Sequence, residues 1–152
     1  SQITKKKIKE IFDINFFSVF EYSQMYVKYV KKYKISSSVV NIGSIVGETG
    51  FKELSGYSST KGAIKSLTQC LALEYIKDKI RFNVVSPGFI ETSYFKNFKR
   101  KKKLYNWTLS KIPMRRWGKS NEISKLVGFL LSDKSYYITG ETINIDGGWI
   151  DG

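Results

Sequence analysis

The stretch VVNIGSIVGETGFKELSGYSSTK, Val39 to Lys61, decides how this chain folds. Its opening, Val39–Ile42, is short, apolar and rich in β-branched residues, the pattern of a strand buried in a parallel sheet. Ser44 follows at the carboxyl end of that strand, where ligands collect in open α/β sheets. A loop rich in Gly and polar residues comes next. From about Gly56 the pattern turns helical, and Tyr57, Lys61 and Lys65 recur every four residues, so they share one helix face.

A Tyr and a Lys one helical turn apart form a proton-transfer pair. A free phenol ionises at a pH of about 10, too high for an efficient base near neutrality. A cation within roughly 4–6 Å favours the phenolate and is expected to lower that value. The Ser44 hydroxyl, on the neighbouring strand end, would hold a carbonyl or alcohol oxygen beside the phenol while the proton moves. An isolated Tyr-x-x-x-Lys is far more often a helix-surface pair, and a chain with ten Tyr and abundant Lys offers many by chance. Context decides between the two.

Ser44, then twelve residues, then Tyr57-Ser-Ser-Thr-Lys61 resembles the active-site signature of the short-chain dehydrogenase/reductase family. Three further phrases match in the same order. DINFFSVF, with Asn15, resembles the part that carries the family's fourth active-site residue. RFNVVSPGFIET (Arg81–Thr92) is similar to the strand and Pro-Gly loop beneath the nicotinamide. ITGETINIDGG (Ile138–Gly148) is similar to the closing strand.

The resemblance implies an NAD(P)-dependent oxidoreductase with Asn15, Ser44, Tyr57 and Lys61 as catalytic residues. Tyr57, Lys61, Pro87, Gly88, Ile90 and Thr92 would contact the cofactor. Pro87 and Gly88 would face the nicotinamide, the Ile90 backbone its carboxamide, and Thr92 would lie near the phosphates. Asn15 would kink its helix and hold a water that relays protons from Lys61. VVSPGFIET and YITGETINIDGG are most like 3-oxoacyl-carrier-protein reductases, and tropinone-reductase-like and sugar-alcohol dehydrogenases share much of the wording.

Composition bounds the remaining classes. A chain of 152 residues builds one domain rather than two. No apolar run reaches the roughly 18–20 residues that span a bilayer, so no membrane partner is expected. The single Cys70 excludes an internal disulfide and suits a reducing, cytoplasmic setting; within SLTQCLALEY it is expected to be a buried structural thiol. The chain has no His, and its carboxylates lack metal-ligand spacing, so no metal site is expected. A formal charge of +13 invites nucleic acid. Among the Lys and Arg residues, however, only Arg81, Arg100, Arg115 and Arg116 are the arginines that suit bidentate phosphate and base contacts. A solvated Lys-rich surface is the better reading.

Along the chain, residues 4–33 carry helical signals, with Thr4 as cap and Ile8, Ile11, Phe12, Phe16 and Val19 on one stripe. Ser36–Ser38 reads as a polar connection. A helix from about Gly56 to Lys77 offers Ala63, Ile64, Leu67, Leu71 and Ala72 for packing. Ile80–Val85 reads as a buried strand stopped by Pro87-Gly88. Residues 93–113 are the least regular, with like charges interleaved with aromatics in KNFKRKKKLYNW; in the family this is the variable flap over the substrate. An acidic carrier protein delivering an acyl chain would be attracted there, and Lys77 and Lys79 lie near the positions that meet the carrier in such reductases. Ser120 would cap a helix to Leu131, and Thr142–Ile145 is the last strand.

The family's dinucleotide site begins with a Gly-rich turn after the first strand. No such turn is found; GSIVGETG follows the strand that bears Ser44 and belongs to the active-site loop. The expected fold is therefore the C-terminal half of a Rossmann-like doubly wound parallel sheet, strands 5, 6 and 7 with flanking helices, forming a single partial domain over 1–152 whose first strands are missing. The absent initiator Met agrees with an upstream segment and leaves an organelle open. The full protein is expected to use NADP or NAD, to reduce a small-molecule or carrier-bound carbonyl, and to form a dimer or tetramer. The rival expectation is a catalytically silent pairing module that lacks the dinucleotide-binding half.

Overall fold

Ile80–Pro87, buried along almost its whole length, is the middle strand of a three-stranded parallel sheet. Burial on both faces explains its near-continuous run of apolar residues. The computed structural model describes residues 3–93 and 95–152. In chain order they form α1 (Lys5–Phe12), a π-helical turn (Asp13–Phe17), α2 (Ser18–Lys32), β1 (Ser37–Ile42), α3 (Ser55–Tyr75), β2 (Ile80–Pro87), β3 (Ile90–Glu91), α4 (Phe95–Arg100), α5 (Lys102–Lys111), β4 (Gly118–Lys119), α6 (Ser120–Leu131) and β5 (Thr142–Ile145). The sheet order is β1-β2-β5, and β3 and β4 form a separate two-residue parallel ladder.

Register follows from the apolar pattern. Val39 pairs with Phe82 and Ile42 with Val85 across β1 and β2, and Val85 pairs with Ile143 across β2 and β5. Val27 and Val30 of α2, Leu71 and Ala72 of α3, and Ile80 and Phe82 of β2 form the core on one face. Leu130 of α6 is fully buried, and α6 packs on β1 and β2.

Three polar groups lock these layers. The buried Asn41 amide donates to Thr68 Oγ1 at 2.9 Å, and that hydroxyl donates to the Ile64 carbonyl at 2.7 Å, tying β1 to α3. Asn83 donates to the Ile138 carbonyl at 3.0 Å and accepts from the Glu141 N–H at 3.1 Å, fixing the entry to β5. The Arg81 guanidinium, 7% exposed, donates to the carbonyls of Leu130, Ser132 and Ile138 at 3.0–3.1 Å. Buried polar groups must be paired in this way.

Several sequence expectations need correction. β1 begins at Ser37 rather than Val39, because Ser37 and Ser38 pair with Ile80 and Arg81; the polar connection is shorter than expected. β2 runs on through Pro87, whose missing N–H costs nothing to the ladder that Ile145 makes with Gly88. Phe95–Arg100 and Lys102–Lys111 are helices rather than irregular chain, since Phe95, Phe98 and Tyr105 pack their rings against Trp117. Ser120 is the first residue of α6 rather than its cap; the Glu122 carboxylate takes the Lys119 N–H at 2.7 Å. Cys70 is exposed, not buried, because it lies on the face of α3 opposite Leu71 and Ala72. Thr4 caps α1 as expected, its Oγ1 accepting from the Lys7 N–H at 3.2 Å. No helix among the described residues is long and apolar enough to cross a membrane.

Candidate active site

β1 and β2 run parallel, so both deliver their carboxyl ends to the same edge of the sheet. Ser44 stands two residues beyond β1, and Pro87-Gly88 closes β2. Ser44 has extended backbone and its Oγ accepts from the Val46 N–H, starting a short 3-10 turn at Ile45–Gly47. That turn lies flat on α3. A Cβ on Gly47 would stand 2.8 Å from the Lys61 carbonyl carbon and 2.9 Å from the Gly62 nitrogen, so only glycine permits the approach. Together with the Asn41–Thr68 bond, this contact sets the position of Ser44 relative to Tyr57.

Tyr57 and Lys61 are half-buried on the first turns of α3. The Lys61 Nζ lies 5.7 Å from the centre of the Tyr57 ring and donates to the Ile42 carbonyl at 2.8 Å. The Tyr57 phenol is pushed above its ordinary value, chiefly by burial, against a smaller lowering by its hydrogen bond with the Ser44 side chain. Burial also lowers the Lys61 ammonium. This corrects the expectation that Lys61 drives the Tyr57 value down. The cation sits over the ring, tied to a backbone carbonyl, and the lowering that burial outweighs comes from Ser44. Lys65 is drawn away to Glu48, at 3.0 Å.

Asn15 occupies the middle of the π-helical turn, and its Nδ2 donates to the Ile11 carbonyl at 3.0 Å. Here the helix widens into a π-turn; such bulges recur at functional sites. α1 rests on the start of α3, with Ile8 and Ile11 facing Gly56.

Gly88 packs so closely on Asp146 that a Cβ would lie 2.8 Å from the Asp146 Cα. Gly118 donates its N–H to the Phe89 carbonyl at 2.9 Å, so alternation along β3 turns the Ile90 N–H away from β4. Thr92 is exposed, its carbonyl accepting from the Phe95 N–H at 2.9 Å. Sequence reasoning named these residues but missed Gly47, Gly62, Asn41 and Thr68, which hold them in relation. The one available signal was a pair of glycines on either side of Tyr57, in phrases already rich in small residues.

The donor chemistry fits the nicotinamide end of a dinucleotide. An ammonium has three N–H donors, and the described structure gives one of those of Lys61 to Ile42. Among the described residues nothing takes the others.

A family model described as Enoyl-(Acyl carrier protein) reductase matches residues 1–150. A 3-oxoacyl-[acyl-carrier-protein] reductase of Thermotoga maritima is 37% identical over 140 residues, covering 92% of this chain and 56% of the relative. A chloroplastic tropinone reductase homolog of Arabidopsis thaliana is 38% identical over 147 residues, covering 97% and 45%. Among solved structures, a 4-hydroxyisoleucine dehydrogenase complexed with NADH superposes with a TM-score of 0.96 at 32% identity, covering 99% of this chain and 62% of that one. The chain spans about half the length of the curated relatives it matches. Its fold is that of a Rossmann-like α/β protein with a parallel sheet and flanking helices, and the chain belongs to the short-chain dehydrogenase/reductase family.

Proposed function

We propose that residues 1–152 are a single partial domain, the catalytic C-terminal half of an NAD(P)-dependent short-chain reductase that acts on a carbonyl, in the manner of the 3-oxoacyl-carrier-protein reductases. The observation that carries this reading is the cluster at the carboxyl edge of the sheet: the Lys61 Nζ lies over the Tyr57 ring at 5.7 Å from its centre and is bound to Ile42 at the end of β1, the strand that presents Ser44. The open outer edge of β1 supports the partial-domain reading. Among the described residues β1 pairs only with β2, and its free side borders an apolar groove of about 440 Å³ lined by Val19, Tyr22, Val39, Val40 and Leu131. An unpaired apolar edge is a liability that further strands would cover.

In the reducing direction Ser44 donates a hydrogen bond to the substrate carbonyl oxygen and pins it beside Tyr57. Tyr57 then gives its proton to that oxygen. A phenol raised by burial is fully protonated at neutral pH, which a proton donor requires. NADP or NAD, when bound, supplies the hydride. Tyr57, Lys61, Pro87, Gly88, Ile90 and Thr92 hold its nicotinamide end, Lys61 through its free N–H donors. The Lys61 charge, over the ring at 5.7 Å from its centre, stabilises the phenolate left behind, and Asn15 supports reprotonation through water from the π-helical turn. Exposed Tyr22 and Tyr29 on α2 and Leu73 on α3 support pairing of subunits in the full protein. The setting is cytoplasmic or organellar, with neither nucleic acid nor membrane as partner.

Assaying the intact enzyme, with the dinucleotide-binding half included, for carbonyl-dependent loss of NADPH or NADH absorbance, with Tyr57→Phe as control, tests the reading. Turnover undiminished in Y57F would overturn it. The rival, a silent pairing module, draws on the same open β1 edge. It requires that the folded protein show no NADPH or NADH binding in a fluorescence titration.

A further inference from the structure

The ladder that presents Ile90 is short, Ile90–Glu91 of β3 against Gly118–Lys119 of β4. Two short strands are marginal on their own. Close packing does not hold this pair on every side, since a hollow of about 330 Å³ is lined by Ile90, Gly118, Ile123 and Ile145. Gly118 donates to the Phe89 carbonyl at 2.9 Å, so the N–H and the carbonyl of Ile90 both face away from β4. A donor and an acceptor side by side match the two ends of a carboxamide. That match holds only while the ladder keeps its place.

Two side chains apart from Ser44, Tyr57 and Lys61 fix it there. Glu122, in the first turn of α6, accepts from both arms of the Arg116 guanidinium at 2.7 and 2.8 Å and from the Lys119 N–H at 2.7 Å. The guanidinium also donates to the Trp117 carbonyl at 3.1 Å, holding the chain just ahead of β4. Glu91 of β3 attracts it through space. The bonds from Arg116 and Lys119 bring the Glu122 carboxyl down to about 2, so the pair stays charged near neutrality. A fork on a carboxylate is directional, as a lysine would not be. Its side chains are 51% and 35% exposed, and exposed pairs add little to folding. What this pair supplies is position rather than stability.

We infer that Arg116 and Glu122 are positioning residues for the nicotinamide, clamping β4 to α6 so that Ile90 holds its backbone at the place of the carboxamide. This rests on the reductase reading, which supplies the cofactor. Neither side chain touches the reacting atoms. Both act through the ladder, from Glu122 to Lys119, from β4 to β3, and so to Ile90.

Fluorescence titration of the intact enzyme, dinucleotide-binding half included, reads cofactor affinity without turnover. NADPH or NADH is compared with its 3-acetylpyridine analogue, which has an acetyl group in place of the carboxamide and so lacks the amide N–H donors. Arg116→Met removes the fork. Glu122→Gln removes the charge and keeps an acceptor for the Lys119 N–H. Each is expected to weaken binding of the natural cofactor about tenfold, the worth of one hydrogen bond, and to narrow its margin over the analogue. R116M/E122Q should lose no more than either single variant, as members of one unit do. The urea midpoint should stay at the wild-type value. An unchanged margin, or a loss of affinity matched by a lower urea midpoint, overturns the inference alone when wild type binds cofactor. Wild type that binds no dinucleotide sinks the reductase reading, and this one with it.

Discussion

Lys61 Nζ donates to the Ile42 carbonyl at 2.8 Å, so the second charged turn of α3 is tied to the last residue of the strand that presents Ser44. The lysine is therefore both a support of the site and a member of it. Lys61→Met, which keeps the stem and removes the donor, is expected to lower kcat/KM by about 10²–10⁴-fold, the range of proton-transfer catalysis. Fluorescence titration with NADPH or NADH should show weaker binding as well. Unchanged cofactor affinity would show that the ammonium serves the strand only.

Burial raises Tyr57 and lowers Lys61, and the two shifts have opposite consequences for stability. The folded state holds the phenol neutral, so the stability due to Tyr57 is full below pH 10.0 and is lost as pH rises through the raised value. The folded state disfavours the Lys61 charge, so its contribution is present above pH 10.5 and is lost as pH falls through the lowered value. A difference titration of phenolate absorbance between wild type and Tyr57→Phe is expected to show one phenol ionising above pH 10.0. An inflection below that value would mean that the Lys61 charge dominates after all.

Gly47 lies against the Lys61–Gly62 backbone with no room for a methyl group. Gly47→Ala is expected to push the Ser44 turn off α3, costing about 1–3 kcal/mol as overpacking does. Urea denaturation measures it, and loss of turnover should exceed the loss of folded protein.

Thr68→Val leaves the buried Asn41 amide without its acceptor, and unsatisfied buried donors cost about 1–3 kcal/mol. Removing both polar groups in Asn41→Leu/Thr68→Val should recover most of that loss. A double-mutant cycle in urea reads the coupling, and strictly additive losses would show that the bond does not join β1 to α3.

Much of this molecule is legible in its sequence because the relevant signals are local. The β-branched run before Ser44, the continuous apolar run Ile80–Val85 and the four-residue spacing of Tyr57 and Lys61 give strands, helix and candidate site directly. The helices at Phe95–Arg100 and Lys102–Lys111 were hidden because their stabilising partners, above all Trp117, lie outside the segment. Cys70 misled for a related reason: an apolar helical phrase does not state which of its faces meets the sheet.

By itself, the order of residues determined which groups stand at the carboxyl ends of β1 and β2, since periodicity and chain direction are properties of the chain alone. The tertiary structure decided what those groups experience. Whether the phenol of Tyr57 is raised or lowered depends on a balance between burial and the hydrogen bond with the Ser44 side chain. That balance is set by Gly47 on α3, by Asn41 on Thr68 and by the Ile42 carbonyl that holds Lys61, none of which a spacing rule can weigh.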